Sequence, residues 1–251
     1  MINIKSLSLE QGEFLLEIDR LTIQPNQLVA VMGNNGSGKS TFLSALSGLK
    51  PFTGEYLLDE TPFVELTKQE QSQQISLLPQ HVSLNMPFDV NYVVLTGRFP
   101  YVSGNTYSKQ DQDLTDQIMD EFDLGALRHR QFNELSGGEK QRVLLARMIN
   151  RDSSIILLDE PLASVDIKHQ YEVLEILKAG LKNRIIMVVI HDIHIAFQTF
   201  DRFIFFNKGK LVYDTEQSEL DAEKISDIFQ VNISFENIKN KRLVQVENAH
   251  L

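Results

Sequence analysis

The sequence predicts an α/β protein built on a parallel β-sheet that is covered by helices on both faces. Two short apolar runs, residues 155–158 and 185–190, have the length and composition of buried strands. Between them, residues 169–181 show the apolar spacing of a helix. A glycine-rich turn joins a further apolar strand, residues 28–32, to a predicted helix at residues 40–47. Short apolar strands that alternate with helices are typical of parallel sheets, because parallel strands need a long crossover connection.

The segments around this core extend the pattern in both directions. Residues 2–32 contain short apolar runs separated by Gln-Gly and Pro-Asn turns, which predicts successive strands. From Asn91 to Arg151 the apolar residues recur with helical spacing. Further elements are predicted as strands at 54–58, 75–78, 203–206 and 211–213, a short helix at 223–229 and a closing hairpin. Since no repeat or linker interrupts the pattern, we predict one domain over residues 1–251 with an inserted helical lobe.

The composition argues against several classes of protein. The formal net charge is -10, whereas binding to nucleic-acid backbones relies on clustered Lys and Arg, so we expect no nucleic-acid partner. There are no cysteines, which excludes a disulfide framework and cysteine-ligated zinc or iron–sulfur clusters. The apolar runs are far shorter than the about 20 residues that a membrane-spanning helix needs. We therefore expect no segment of this sequence to cross a membrane by itself.

The glycine-rich turn has the sequence GNNGSGKS at residues 33–40 and fits the phosphate-loop pattern. Glycines let successive backbone N–H groups turn toward a ligand, and the following helix presents its positive end. Lys39 would reach the β- and γ-phosphates of a nucleotide, and the Ser40 hydroxyl would bind Mg²⁺. A chance match in a glycine turn is the alternative, and the strand–loop–helix context argues against it.

Two carboxylates, Asp159 and Glu160, directly follow the strand at residues 155–158. This is the edge at which α/β sheets bind ligands. Adjacent acids point in different directions, so one can serve a metal and the other a nucleophile. We expect Asp159 to hold Mg²⁺, directly or through water, and Glu160 to orient and polarise the attacking water. Taken alone, the Asp-Glu-Pro sequence would be a turn that closes a strand; the phosphate loop favours the catalytic interpretation.

A third motif, LSGGEKQR at residues 135–142, resembles the LSGGExQR sequence that separates ATP-binding cassette proteins from other phosphate-loop ATPases. Ser136 with Glu139 three residues later would also suit an ordinary helix start. The backbone donors at such a helix N-terminus are suited to a γ-phosphate, and in the family they face the ATP held by the other subunit. The resemblance covers nearly the whole chain. It implies a RecA-like phosphate-loop NTPase core with an N-terminal antiparallel β subdomain and an α-helical subdomain inserted at about residues 84–150.

The resemblance also assigns individual roles. Gln80 matches the glutamine that touches the metal, and His191 matches the histidine that contacts the γ-phosphate, although each could be an ordinary surface or structural residue. Asp166 matches the aspartate of the loop that crosses the dimer interface, while the residues before it differ slightly from the usual SALD. The implied catalytic residues are Lys39, Gln80, Glu160 and His191, and the implied metal ligands are Ser40, Gln80 and Asp159. The implied ATP contacts are Gly33, Asn34, Asn35, Gly36, Ser37, Gly38, Lys39, Ser40, Thr41, Ser136, Gly137, Gly138, Glu139 and Asp166.

The adenine contact departs from the family pattern. Members usually stack the base on an aromatic residue just upstream of the first core strands. Alignment puts Glu10 at that position and leaves Phe14 as the nearest aromatic side chain. Two outcomes stay open: Phe14 supplies the stacking, or the stacking is weak.

The segment VVLTGRFPY at residues 93–101 narrows the resemblance to ATPases of iron-siderophore, haem and vitamin B12 importers, which share a GR-aromatic-P sequence. The resemblance implies ATP and Mg²⁺ as cofactors and a homodimer in the working complex. It also implies two transmembrane permease subunits, an indirectly linked substrate-binding protein and a peripheral location on the cytoplasmic face of the inner membrane. Three rival classes remain: an exporter ATPase, a soluble cassette protein of iron–sulfur assembly, and translation- or chromosome-associated cassette proteins. The last class usually carries two cassettes or a long coiled-coil insertion, and this sequence has neither.

Overall fold

A computed structural model describes residues 1–80, 87–102, 104, 106–163, 166–238 and 241–247. The strands are β1 (Ile2–Gln11), β2 (Phe14–Ile18), β3 (Leu21–Ile23), β4 (Gln27–Gly33), β5 (Thr53–Leu58), β6 (Thr61–Pro62), β7 (Ile75–Leu78), β8 (Ile155–Asp159), β9 (Ile185–Val189), β10 (Arg202–Asn207), β11 (Lys210–Glu216), β12 (Asn232–Ile238) and β13 (Lys241–Glu247). The α-helices are α1 (Lys39–Leu46), α2 (Lys68–Gln74), α3 (Val90–Leu95), α4 (Lys109–Glu121), α5 (Gly137–Asn150), α6 (Ile167–Ala179), α7 (Ile193–Thr199) and α8 (Ala222–Phe229). None of the helices in these described ranges is long and apolar enough to cross a membrane.

One mixed sheet runs through the molecule in the order β6-β5-β1-β2-β11-β10-β4-β9-β8-β7, with β3 paired to β1. The strands β10, β4, β9, β8 and β7 are mutually parallel. At the other end, β1 is antiparallel to β2, β3 and β5. The predicted α/β fold, with a parallel core and an N-terminal antiparallel region, is therefore confirmed. The predicted closing hairpin is also present, as β12 paired with β13.

The parallel strands are buried on both faces, as their nearly continuous apolar sequences require. Along β4, Val29 and Val31 belong to the core that contains α1 and the N-terminal strands. The alternating residues Ala30 and Met32 belong to a second core, which contains the apolar residues of α3 to α6. The sheet thus separates two cores, and its edges position the loops that follow the strands.

The first helix of the helical segment, α3, begins at Val90. The predicted boundary of the inserted lobe, at about residue 84, falls in residues 81–86 and lies outside the described residues. The helical segment is broken by a 3-10 helix at Thr96–Tyr101 that contains Pro100. The helix α6, whose apolar residues belong to the same core as α3 to α5, starts at Ile167, two residues before the predicted position, because the Asp166 side chain caps it. Helix termini are set by local caps that apolar spacing does not reveal.

A buried ion pair fixes the 3-10 helix to its neighbours. Arg98 donates from Nε to Asp111 Oδ1 at 3.0 Å and from Nη1 to the carbonyl oxygen of Asn150 at 3.0 Å. Its guanidinium carbon lies 4.1 Å from the centre of the Tyr101 ring. The side chains of Arg98 and Asp111 are only 9% and 7% exposed. In the GR-aromatic-P segment the arginine is therefore a structural residue that joins α4 and α5 to the segment.

Replacing Arg98 with Met is expected to destabilise the fold by about 3–5 kcal/mol, because the Asp111 carboxylate is left buried without its partner. Urea unfolding monitored by circular dichroism measures this change. The matched control is Lys5→Met, which breaks the exposed Lys5–Glu55 pair and is expected to cost about 1 kcal/mol or less. Equal effects of the two substitutions would contradict a stabilising role for the buried pair.

Candidate active site

The loop between β4 and α1 is shaped by glycines at its two ends. Gly33 ends β4 with φ 139°, and Gly38 precedes α1 in a left-handed conformation with φ 110°. The loop is closed by a hydrogen bond from the Ser37 N–H to the Asn34 carbonyl oxygen at 3.1 Å. The Gly209 N–H, from the turn between β10 and β11, donates to the Ser37 carbonyl oxygen at 2.9 Å. The loop thus has the geometry of a phosphate loop that leads into a helix N-terminus.

Gly33 is required by a close approach of two strands. A Cβ atom at this position would lie 2.1 Å from the Phe206 carbonyl oxygen, on the strand paired with β4. We expect Gly33→Ala to destabilise the protein by about 3 kcal/mol, since the strands must separate to admit the methyl group. The control is Gly125→Ala, where a Cβ atom meets nothing within 4 Å and the change is expected to stay within about 0.5 kcal/mol. Thermal unfolding measures the melting temperatures of both variants. Similar melting temperatures for Gly33→Ala and Gly125→Ala would contradict the clash.

Lys39 reaches back over the loop that it follows. Its Nζ donates to the carbonyl oxygens of Gly33 at 2.9 Å and Asn34 at 3.0 Å. The residue is only 5% exposed. Burial lowers the pKa of its ammonium group, while Glu160 and Asp159 act in the opposite direction. An ammonium group held at the loop by weak carbonyl acceptors can turn to the phosphates of a nucleotide.

Ser40 and Asp159 bring two oxygen atoms together beside the loop. The Ser40 hydroxyl donates to Asp159 Oδ1 at 3.0 Å. Asp159 ends β8 and is 8% exposed. Burial raises the pKa of its carboxyl group, and the hydrogen bond from Ser40 partly opposes that rise. Hydroxyl and carboxylate oxygens are ligands that Mg²⁺ accepts together with substrate phosphates. The residues present therefore fit a magnesium ion.

Glu160 is held between two side chains from neighbouring strands. Gln80 Nε2 donates to Glu160 Oε2 at 2.7 Å, and His191 Nε2 lies 2.7 Å from Glu160 Oε1. Gln80 follows β7, Glu160 follows β8 and His191 follows β9, and these strands are adjacent in the sheet. Parallel strands end at the same edge, which explains why residues distant in sequence converge there. Glu160 itself has a left-handed backbone, with φ 53°.

A cavity of 830 Å³ opens in front of these residues and is large enough for a small-molecule ligand. The side chain of Phe14 lines it, whereas the exposed Glu10 does not. Gln11, the last residue of β1, also lines the cavity, and the sequence analysis missed it because a lone Gln beside a glycine turn carries no signal. Among the described residues, those that line the cavity are Gln11, Phe14, Asn35, Gly36, Gly38, Lys39, Ser40, Thr41, Gln80, Glu160 and His191.

The LSGGEKQR motif lies apart from this cavity. Ser136 caps α5 in a reciprocal capping box with Glu139, in which the Ser136 N–H donates to Glu139 Oε2 at 2.8 Å. Residues 136–139 are not among the residues that line the cavity, and neither is Asp166. Ser164 and Val165, which precede Asp166, lie outside the described residues. One copy of the chain therefore brings together the phosphate loop, Asp159, Glu160, Gln80 and His191, but not the LSGGEKQR motif.

The family is shown by comparison with known proteins. A model of the ABC transporter family matches residues 16–163, which is more than half of the chain and contains the phosphate loop, the LSGGEKQR motif and Glu160. The chain belongs to the ABC transporter family. The prediction of an ABC transporter ATPase is confirmed.

Two relatives of this ABC ATPase match over most of their length. A hemin import ATP-binding protein of Bradyrhizobium diazoefficiens is 34% identical over 245 residues, which cover 92% of this chain and 89% of the relative. A petrobactin import ATP-binding protein of Bacillus subtilis is 30% identical over 248 residues, which cover 97% and 98%.

Solved structures have the same fold as this ABC ATPase. A chain of a transporter assigned to the metal-chelate type, in an inward-facing conformation, has a TM-score of 0.84 at 24% identity, covering 99% of this chain and 97% of that one. A dimeric ATP-binding cassette in a post-hydrolysis state, bound to ADP and phosphate, has a TM-score of 0.71 at 25% identity, covering 86% and 99%.

Proposed function

We propose that this ABC ATPase drives the import of an iron chelate such as a siderophore or haem, or of the related chelate cobalamin. Two relatives that match nearly the whole chain are named as import ATPases for hemin and petrobactin. The GR-aromatic-P segment at residues 93–101 points to the same group of importers. The exporter ATPase and the soluble iron–sulfur assembly protein are the alternatives to be tested.

The observation that carries the proposed mechanism is the hydrogen-bonded group of Gln80, Glu160 and His191 beside the phosphate loop. Lys39 binds the β- and γ-phosphates of ATP. The Glu160 carboxylate accepts a hydrogen bond from a water molecule and orients it toward the γ-phosphorus. The bond from water oxygen to phosphorus forms as the bond to ADP breaks, and the water proton leaves through Glu160 to phosphate. His191 and Gln80 hold the carboxylate in the orientation that this step needs.

Ser40, Asp159 and Gln80 are the proposed ligands of Mg²⁺. The 3.0 Å contact between Ser40 Oγ and Asp159 Oδ1 offers adjacent oxygen ligands, and burial of Asp159 favours a compensating cation. When bound, the ion neutralises charge on the phosphate oxygens. For the adenine base we propose contacts from Phe14 and Gln11, which line the same cavity as the phosphate loop residues.

Two copies of the chain are proposed to form the working unit. Residues 136–139 present a capped helix N-terminus that does not line the cavity of their own copy, so we assign them, with Asp166, to the ATP of the second copy. ATP then binds the closed pair better than the open one, and this difference in affinity drives closure. Hydrolysis removes the γ-phosphate that joins the two halves and allows the pair to reopen.

The whole chain is proposed to act as one nucleotide-binding domain, residues 1–251, with a helical lobe inserted at about residues 84–150. Its proposed partners are two transmembrane permease subunits and, indirectly, a substrate-binding protein, and we propose no nucleic-acid partner. The chain would then lie peripherally on the cytoplasmic face of the inner membrane. The surface that includes Gln80 and Tyr101 is proposed to face the permease.

Affinity purification of a Glu160→Gln variant from its native cells with Mg-ATP tests this proposal. The expected result is co-purification of a multi-span permease and of a binding protein that retains a metal chelate. The matched control is the Lys39→Met, Glu160→Gln double variant, which is expected to recover less of any partner whose binding depends on ATP. Spectroscopy or mass spectrometry of the captured binding protein identifies the chelate.

Each other outcome selects a different alternative. A permease without a binding protein would indicate an exporter and contradict import. Soluble iron–sulfur assembly proteins or ribosomes would contradict transport altogether while leaving the ABC ATPase unchanged.

A further inference from the structure

The loop between β8 and α6 is held by side chains from two helices. The structure describes residues 161–163 and Asp166 of this loop. Gln141, in the first turns of α5, donates from Nε2 to the Pro161 carbonyl oxygen at 2.7 Å. Gln170, on α6, donates from Nε2 to the Leu162 carbonyl oxygen at 3.2 Å. The loop that leaves Glu160 is therefore attached to the helix that carries the LSGGEKQR motif.

His169 lies between the end of this loop and the same helix. Its Nδ1 lies 2.6 Å from Asp166 Oδ2. Because an ionised carboxylate only accepts hydrogen bonds, Nδ1 carries the proton and donates. Hydrogen bonds from the His169 backbone and side chain lower the pKa of Asp166, which keeps this carboxyl group ionised at neutral pH.

The other side of the His169 ring faces the first turn of α5. A Cβ atom built on Gly138 would lie 3.7–3.8 Å from the Nε2, Cδ2 and Cε1 atoms of the ring. The ring therefore faces Gly138 across a gap that is just wide enough for the Cβ atom that glycine lacks. His169 and Gly138 line the same narrow cleft between α5 and α6, together with Gln141 and Arg142.

We propose that His169 is a positioning residue that joins Asp166 to the LSGGEKQR helix of the same copy, so that both reach the partner's ATP as one unit. The proposal rests on the proposed two-copy site. Without the ring, Gln141 would still hold Pro161, but Asp166 at the end of the loop would lose its side-chain partner next to the helix start. Because small displacements in an active site reduce the rate strongly, the expected effect is on turnover.

The helix cap of α6 is a separate function of the same residue. The His169 backbone N–H donates to Asp166 Oδ1 at 3.0 Å, and any residue at position 169 keeps this bond. Substitution of the ring therefore removes the bridge without removing the cap. The role of the His169 side chain can therefore be tested without loss of the helix cap.

Three variants separate the hydrogen bond to Asp166 from the packing of the ring next to Gly138. His169→Asn keeps a donor near the position of Nδ1, His169→Phe keeps a ring against Gly138, and His169→Leu keeps neither. The control is Lys168→Ala, a neighbouring residue whose side chain is 82% exposed. Two quantities are measured on the purified chain: hydrogen exchange of the amides at residues 137–141, and kcat and KM for ATP.

We expect His169→Leu to speed exchange at residues 137–141 and to lower kcat on the order of tenfold, with KM, melting temperature and the behaviour of the control unchanged. His169→Asn is expected to restore most of kcat, and His169→Phe part of it. Unchanged exchange or unchanged kcat in His169→Leu would overturn the proposal, and so would an Asn variant no better than Leu. A parallel change in KM and melting temperature would indicate a purely structural residue. The exchange measurement needs neither a dimer nor a permease, so it tests the role of His169 even if the proposed function is wrong. Failure of the proposed function is recognised separately, by an unaffected turnover in the Glu160→Gln variant.

Discussion

Replacing Glu160 with Gln is expected to lower kcat for ATP hydrolysis by about 10²–10⁴-fold, the usual contribution of a positioned general base. The amide has nearly the same shape as the carboxylate, so the fold and the cavity persist. It carries no charge, however, and accepts a proton very poorly. Gln80 and His191 each lie 2.7 Å from a carboxylate oxygen of Glu160, and these contacts hold the carboxylate at the wall of the cavity. ATP binding is expected to remain, because Lys39 and the loop are untouched.

Phosphate release under saturating ATP measures kcat, and fluorescence of a labelled nucleotide measures binding. The control is Glu65→Gln, which changes an exposed carboxylate that does not line the cavity and is expected to leave both quantities unchanged. A Glu160→Gln variant that turns over within a few-fold of the unmodified protein would exclude Glu160 as the base. Loss of ATP binding together with turnover would indicate a structural effect of the substitution instead.

Replacing Lys39 with Met is expected to weaken ATP binding by about 10- to 100-fold and to abolish measurable turnover. The estimate follows from hydrogen bonds to charged groups, worth about 1.5–3 kcal/mol, at about 1.4 kcal/mol per tenfold in affinity. Met matches the unbranched stem of lysine, so that only the ammonium group is lost. Isothermal titration with ATP and Mg²⁺ measures the change; equal affinities for the variant and the original protein would contradict phosphate binding by Lys39.

The lowered pKa of Lys39 adds a pH signature to the same experiment. Burial favours the neutral amine in the free protein, so ATP affinity is expected to fall, as pH rises, at a lower pH than an ordinary lysine would give. The Lys39→Met variant lacks the titrating group and is expected to show no such fall. If both proteins lose affinity in parallel, the pH dependence arises elsewhere.

Sequence patterns predicted the elements that are long or apolar and missed those that are short and polar. The helix α2 has the sequence KQEQSQQ and no apolar spacing at all. Its signal is the Thr67–Glu70 capping box, which resembles many polar turns. The helix α7 was also missed, although its sequence IHIAFQT is largely apolar, because it is only seven residues long; its signal is the cap from Asp192. The order of the strands in the sheet depends on long-range packing that local sequence does not encode.

Sequence patterns predicted the parts of the candidate site whose chemical groups lie within one continuous motif. The phosphate loop, the Asp159–Glu160 pair and the LSGGEKQR motif are continuous in sequence. By contrast, Gln80 was singled out by resemblance alone, and His191 by resemblance together with its place directly after a predicted core strand. Their contacts with Glu160 span 80 and 31 residues of sequence and arise because three strands end at one sheet edge. The position of His169 between Asp166 and Gly138 was not predicted, because it depends on how two helices pack.

In the proposed mechanism, one chain holds only part of each ATP site and a second copy completes it. Analytical ultracentrifugation of the Glu160→Gln variant with and without Mg-ATP tests this most directly. We predict a 28.7 kDa species without nucleotide and a species of twice that mass with ATP, but not with ADP. A Ser136→Arg substitution in the same variant is predicted to prevent the doubling while leaving ATP bound. The two-copy site would be contradicted if the Glu160→Gln variant binds ATP and still has the mass of a single chain. This comparison is made at protein concentrations at which the unsubstituted chain hydrolyses ATP.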